Sequence, residues 1–144
     1  MGGLEMTTTA SPAGEPIDRL LEATNRHDLE SLVGCFTAGF VNETPAHPAR
    51  SFVGSEQVRQ NWAQIFAGVP DLEAEILRRS VDGATVWTEW EMRGTRVDGS
   101  THLMRGVGIF SAVDGQFTSL RFYLEPVERG GADVSAAVRE HITR

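Results

Sequence analysis

The tripeptide Val-Asp-Gly occurs three times in the second half of the chain, at 81–83, 97–99 and 113–115, with 16 residues from each copy to the next. Asp-Gly pairs at regular spacing are typical of tight hairpin turns, because glycine adopts a positive φ without steric cost. From Val86 to Arg93 apolar and polar residues alternate, which is the period of a β-strand. The repeat therefore predicts a meander of long antiparallel strands, over 71–82, 84–97, 100–113 and 116–127.

The first half of the chain has helical periodicity instead. Pro16 stands at a position that favours the first turn of a helix, and apolar residues follow it at helical spacing. Asp28 and Ser55 are suited to cap a second and a third helix. The predicted helices are 16–27, 28–39, 55–70 and a terminal one at 133–143, with short extended pieces at 40–44 and 50–53.

Three helices followed by a long curved sheet indicate an α+β domain, with the helices packed over one concave face of an antiparallel sheet. A length of 144 residues is typical of one domain, and we expect that domain to span 15–144. Residues 1–14 are rich in Thr, Gly, Ala, Ser and Pro without periodicity. They are predicted to form a flexible arm.

Composition and charge exclude several classes of protein. No run of 18 apolar residues could span a bilayer, and the net charge of −7 has the wrong sign for binding a nucleic acid backbone. The single cysteine, Cys35, allows no internal disulfide, and the four histidines form no Cys/His cluster with metal-ligand spacing. No secretory signal is visible in residues 1–14. We therefore expect a cytoplasmic protein with no metal, cofactor, nucleic acid partner or membrane span.

Alternation also predicts which side chains face the inside of the fold. Thr88, Trp90 and Met92 share one apolar face, and Leu120 and Phe122 share another, so both faces are predicted to point inward. The opposite faces carry charges that can pair across strands, and they are predicted to point outward. These outward residues are Glu89, Glu91 and Arg93 on one strand and Arg121, Tyr123 and Glu125 on the other.

Several segments carry a resemblance to a known superfamily: NRHDLESLVGCF at 25–36, FVGSEQVRQNW at 52–62, VPDLEAEI at 69–76 and VDGQFTSLRFYLEP at 113–126, with Pro45 between the first two. The chain resembles the nuclear transport factor 2-like superfamily, and most closely its SnoaL-like polyketide cyclase branch, over about residues 16–127. The resemblance implies a cone-shaped sheet, a pocket between the helices and the concave face, and a homodimer through the outer sheet face. It does not fix the function, because this scaffold supports isomerases, cyclases, epoxide hydrolases, dehydratases and non-catalytic binding domains.

The resemblance also implies where catalytic groups would stand. A ketosteroid isomerase-like site would use a tyrosine and two carboxyl groups, an epoxide hydrolase-like site an arginine and two aspartates, and a SnoaL-like cyclase an aspartate on the last strand. The matching positions here hold no side chain able to do that work. They are Leu20, Thr44 and Gly108 for the first site, Trp90, Met92 and Phe122 for the second, and Phe122 again for the third.

A small polar set remains for acid–base chemistry and ligand orientation. His47 lies in a proline-flanked loop expected at the pocket mouth, and His102 shares strand parity with the inward face of its strand. Glu43 would face away from the pocket unless a bulge reverses the alternation, in which case burial would suit it to acid–base work. We predict Glu43, His47 and His102 as catalytic residues, and Asn42 and Thr44 as groups that orient a ligand carbonyl.

Large apolar side chains on the inward stripes are predicted to contact the ligand. Aromatic and methionine side chains around a few hydrogen-bonding groups are typical of a small-molecule pocket, although the same side chains could instead fill the cone. The predicted set is Trp62, Phe66, Trp90, Met92, Met104, Phe110 and Phe122.

Three functions are compatible with the sequence. The first is the binding of a hydrophobic, polyketide-like metabolite and its cofactor-independent cyclisation, isomerisation or dehydration, in which the cavity folds the substrate and one acid–base group completes the step. The second is a non-catalytic binding or interaction domain, which the lack of the family carboxylates favours. In the third, the charged sheet face binds a different protein.

Overall fold

The computed structural model describes residues 14–143 and has an α+β fold built around one curved, six-stranded sheet, which confirms the predicted class. The predicted arm at 1–14 lies outside the described residues except for Gly14, which begins the first helix. In chain order the elements are α1 (Gly14–Asn25), α2 (Leu29–Val33), β1 (Phe36–Glu43), a 3-10 turn (Pro48–Arg50), β2 (Phe52–Val53), α3 (Ser55–Gly68), β3 (Glu73–Asp82), β4 (Thr85–Thr95), β5 (Thr101–Val113), β6 (Gln116–Pro126) and α4 (Val134–Ile142).

The sheet has the strand order β2-β1-β6-β5-β4-β3. Strands β3 to β6 form the predicted antiparallel meander, and the glycines of the three Val-Asp-Gly copies, Gly83, Gly99 and Gly115, have φ values of 60°, 88° and 81°. The expectation of an entirely antiparallel sheet is corrected at one place, because β1 pairs with β6 in parallel. This pairing joins the first half of the chain to the last strand of the meander.

The second helix is much shorter than the sequence predicts. Asp28 caps it as expected, accepting from Ser31 N at 3.2 Å, but the helix ends at Val33 and Phe36 already begins β1. The long-range pairing decides this boundary, since Phe117 N donates to Cys35 O at 2.8 Å and Phe36 lies opposite Phe117. The third helix begins at Ser55 as its first residue, with Gly54 rather than Ser55 at the N-cap.

The core lies between the concave face of the sheet and helices α1 and α3. Its largest fully buried side chains include Phe40, Phe117, Ile17, Leu32 and Val86. A side-chain amide joins α1 to the edge strand β3: Asn25 Nδ2 donates to Ala74 O at 2.9 Å, and Ala74 N donates to Asn25 Oδ1 at 2.6 Å. This pair of hydrogen bonds supplies the edge strand with the partners that a neighbouring strand would otherwise give.

The outer face of the sheet carries the charges, as alternation predicts. Glu91 accepts from Arg93 and from Arg105, each at 3.0 Å, and Arg121 donates to Glu43 at 2.7 Å. The hydrogen bond from Arg105 is the main reason why the pKa of Glu91 lies below its ordinary value. The charged side chains are therefore paired with one another on the convex side, away from the core.

The backbones of β5 and β6 approach each other closely at Gly106. This residue has a φ of 153°, and a Cβ placed on it would overlap the carbonyl oxygen of Tyr123 and lie 2.6 Å from the Leu124 Cα. Both obstacles are backbone atoms, which cannot move aside without disturbing the strand pairing. Only glycine fits this position without strain.

We expect Gly106→Ala to lower the free energy of unfolding by about 2 to 4 kcal/mol, because the added methyl group must displace the β6 backbone. The matched control is Gly39→Ala on β1, where a Cβ would meet nothing within 4 Å. That control should change stability by less than about 1 kcal/mol and in the stabilising direction. Urea unfolding of both variants measures the difference, and equal midpoints would contradict the account.

Candidate active site

A cavity of about 390 Å³ lies between helices α1 and α3 and the concave face of the sheet. Its wall is mainly apolar and aromatic, and it draws on every strand except β3. The size is within the range of small-molecule sites. The lining residues are Leu20, Thr24, Phe36, Phe40, Asn42, Thr44, Arg50, Phe52, Val58, Asn61, Trp62, Ile65, Trp90, Met92, His102, Met104, Gly108, Phe110, Leu120, Phe122 and Leu124.

Most residues predicted to contact a ligand line this cavity. The exception is Phe66, whose ring stacks on the His27 imidazole at a centroid distance of 4.5 Å and also contacts Trp62. His27 in turn is held by Leu72 O, 2.8 Å from its Nε2. Phe66 therefore packs behind the wall instead of forming it. Those that line the cavity are Asn42, Thr44, Trp62, Trp90, Met92, Met104, Phe110 and Phe122.

A short chain of hydrogen bonds fixes the Trp90 ring in the wall. Trp90 Nε1 donates to Thr88 Oγ1 at 2.7 Å, and Thr88 Oγ1 donates to Gly108 O at 2.7 Å. Both side chains are almost completely buried, with 3% and 1% of their surface exposed. The polar atoms of this part of the wall are thus satisfied by the protein, so it presents an apolar surface.

The hydrogen-bonding groups of the cavity gather where β1 ends. Asn42 and Thr44 are buried, and Asn42 Nδ2 donates to Thr44 Oγ1 at 3.1 Å. Arg50 ends the turn just before β2, whose Phe52 lies opposite Asn42, and its exposed side chain also lines the cavity, at its mouth. Thr44 N donates to Ser51 Oγ at 3.0 Å, which ties the two segments together.

Two of the predicted catalytic residues lie outside the cavity. The irregularity in the β1–β6 pairing falls before Val41, so it does not turn Glu43 inward. The Glu43 carboxylate is on the outer face and pairs with Arg121. His47 lies in the loop after β1, and its Nε2 is 2.9 Å from Glu125 Oε2. Neither side chain is among those that line the cavity, so neither reaches a ligand bound there.

His102, the third predicted catalytic residue, lines the cavity near the tip of the β4–β5 hairpin, opposite Gly94. Its imidazole has no hydrogen-bond partner among residues 14–143. Burial, followed by the positive charge of Arg96, lowers the pKa of the imidazole below its ordinary value. The neutral form, which can accept a proton, is therefore favoured near pH 7.

The six positions at which relatives would carry catalytic groups all line the cavity: Leu20, Thr44, Trp90, Met92, Gly108 and Phe122. The inward orientation predicted for Trp90, Met92 and Phe122 agrees with this, and within the described part of the chain the cavity wall contains no Asp or Glu. Its ionisable side chains there are His102 and Arg50. Arg50 and Asn61 have no local signal in the sequence, because nothing in their spacing sets them apart from solvent-facing polar residues.

A model of the SnoaL-like domain family matches residues 17–120. The chain belongs to the SnoaL-like domain family. The resemblance read from the sequence is thereby confirmed, and the match covers the elements from α1 into β6. Comparison with curated protein sequences finds no similar protein.

Several solved structures share the fold of this SnoaL-like chain. An LEH-like epoxide hydrolase from M. tuberculosis has a TM-score of 0.69 at 20% identity, covering 82% of this chain and 85% of that one. IdmH from Streptomyces antibioticus, a candidate polyketide cyclase, has a TM-score of 0.68 at 22% identity, with 78% and 91% covered. A candidate SnoaL-like polyketide cyclase from Jannaschia sp. CCS1 has a TM-score of 0.68 at 22% identity, with 79% and 85% covered. At these identities the similarity establishes the cone-shaped fold alone.

Two features are absent from residues 14–143 of this SnoaL-like structure, a metal-binding cluster and a membrane-spanning helix. No group of three or more His, Cys, Asp or Glu side chains is arranged to hold a metal ion. None of the helices there combines the length and apolarity that crossing a membrane requires.

The lowered pKa of His102 predicts a pH dependence. The folded SnoaL-like domain binds this proton less readily than the unfolded chain, so stability is at its full value above the unfolded pKa of His102 and is lost as the pH falls from there through the lower folded pKa. NMR titration of the imidazole resonances should give a lower pKa for His102 in the native protein than in urea. The assignment comes from the resonance missing in His102→Asn, and an equal or higher native pKa would refute the prediction.

Proposed function

We propose that this protein binds a small, largely apolar, polyketide-like metabolite in the cone and promotes its cofactor-independent cyclisation, isomerisation or dehydration. The observation that carries the proposal is the cavity of about 390 Å³, with its aromatic and methionine wall and its few hydrogen-bonding groups. The shared fold with a candidate polyketide cyclase supports the substrate class, and that support is one of analogy.

In this proposal the wall selects a reactive conformation of the substrate. Trp62, Trp90 and Met92 contact its apolar body, together with Met104, Phe110 and Phe122. Holding a flexible chain in a folded shape removes much of the entropy cost of ring closure. Asn42 and Thr44 orient one oxygen of the substrate by hydrogen bonds.

His102 is the proposed acid–base catalyst. Its neutral imidazole can accept a proton from a carbon next to a carbonyl group and return that proton to another atom of the substrate. Its place on the same inner face of β5 as Met104 and Gly108 supports this role, because a ligand extended along that face reaches the imidazole. Glu43 and His47 have no part in the proposed step, since their side chains lie outside the cavity.

A specific observation favours a second candidate, a non-catalytic ligand-binding domain. Every position at which relatives would carry a catalytic carboxylate holds another residue, although all of these positions line the cavity. In that case the cavity would bind and release its ligand unchanged.

Turnover distinguishes the two candidates. The ligand retained by the purified protein is identified by native mass spectrometry and offered to fresh protein, and product is followed by chromatography. We expect conversion by the wild type and a loss of about 100-fold or more in rate for His102→Gln. His47→Gln, at a histidine outside the cavity, is the matched control and should retain the rate.

Two results would overturn these assignments. Release of the ligand unchanged by the wild type would favour the binding domain over the enzyme. A normal rate for His102→Gln would show that His102 is not the acid–base group.

The proposal includes a cytoplasmic homodimer formed through the outer sheet face. Trp87 on β4 is 52% exposed and Tyr123 on β6 is 37% exposed, which supports an apolar contact among the charged pairs of that face. The single buried thiol of Cys35, in place of a disulfide framework, is in keeping with the cytoplasm.

Light scattering after gel filtration should give twice the chain mass of 15.7 kDa, and half that value for Trp87→Glu. A wild-type monomer would refute the dimer.

A further inference from the structure

Arg50 differs from most other arginines of this protein in having no partner. It lines the cavity at its mouth and is exposed, and its guanidinium forms no hydrogen bond or ion pair with any residue from 14 to 143. Most described arginines, by contrast, contact a carboxylate, as Arg79 does with Asp18 at 2.8 Å and Arg121 with Glu43 at 2.7 Å. The guanidinium of Arg50 is therefore free to bind a group that enters the cavity.

Two of the polar side chains that line the cavity with Arg50, those of Thr44 and Asn61, each keep a hydrogen-bond donor for a ligand. Asn42 Nδ2 donates to Thr44 Oγ1, so the hydroxyl oxygen is already used as an acceptor and its proton remains available. Asn61 Oδ1 accepts from Gln57 Nε2 at 2.9 Å, which leaves Asn61 Nδ2 to donate. Among residues 14–143, neither of these two donors has another partner.

The local charge is opposite to that of the whole molecule. The chain has a net charge of −7, yet the cavity wall formed by residues 14–143 contains no carboxylate and includes Arg50 at the mouth. An acidic ligand group would meet a guanidinium there and no like charge on the wall. Charge-assisted hydrogen bonds from arginine to a carboxylate are among the strongest polar contacts in proteins.

We infer that the ligand of this cavity is an amphipathic acid, with an apolar ring or chain in the interior and a carboxylate at the mouth against Arg50. The carboxylate accepts from the Arg50 guanidinium, and the Thr44 hydroxyl and Asn61 amide are its further donors. The inference rests on the proposed binding function. It adds that the ligand is negatively charged and that its charged end is bound at the mouth of the cavity.

Two probes with the same apolar body test the inference: naphthalene-1-acetate and its neutral amide, naphthalene-1-acetamide. Isothermal titration calorimetry at about 0.15 M salt measures both dissociation constants, since distant charges are largely screened there. We expect the acid to bind about tenfold more tightly than the amide. Arg50→Gln should bring the acid to the affinity of the amide, and Arg50→Lys should retain part of the preference.

The matched control is Arg129→Gln, at an exposed arginine outside the cavity, which should leave both affinities unchanged. Equal binding of acid and amide to the wild type, or an unchanged preference in Arg50→Gln, would overturn the inference while leaving the binding function intact. If neither probe binds, the apolar binding site itself is contradicted, and the inference falls with it.

Discussion

The open middle of the cavity depends on Gly108, an inward position of β5 that lines it. Gly106 lets the β5 and β6 backbones approach more closely than any side chain allows, and a Cβ at Gly108 would lie 3.0 Å from Phe110 and 3.2 Å from Leu120. With no side chain at Gly108, the middle of the concave face stays open. The surrounding large residues then become the wall of a cavity instead of its filling.

The arrangement of polar groups follows from the same alternation. Charged side chains occupy the outer face, where they pair with one another, and the inner face is left with very few polar atoms. The polar atoms of Trp90 and Thr88 are satisfied by hydrogen bonds within the protein, from Trp90 to Thr88 and from Thr88 to the carbonyl oxygen of Gly108. Within residues 14–143 the Thr44 hydroxyl, the Asn61 amide and the His102 imidazole line the cavity with hydrogen-bonding capacity that no protein group uses, so a ligand with a polar part and an apolar part matches it.

Local patterns in the sequence were sufficient to predict the meander, because Asp-Gly turns and the alternation of apolar and polar residues depend on residues that are close together in the sequence. They were insufficient to predict where α2 ends. A helical pattern also fits Leu29, Leu32, Val33 and Phe36, and only the long-range pairing of β1 with β6 places Phe36 in a strand. The partners of Glu43 and His47, at Arg121 and Glu125, are likewise far away in sequence. Alternation placed the apolar wall correctly, but Arg50 and Asn61 become part of the site only through tertiary packing.

We propose above that the cone is an open binding site for an apolar molecule. Titration with the uncharged fluorescent probe N-phenyl-1-naphthylamine tests it most directly, using Leu120→Trp to fill the cavity and Tyr123→Trp on the outer face of the same strand as the control. We expect saturable enhancement of probe fluorescence in the wild type and in Tyr123→Trp. In Leu120→Trp we expect no enhancement, with a circular dichroism spectrum like that of the wild type. Equal enhancement in all three proteins, or none in the wild type, would contradict it.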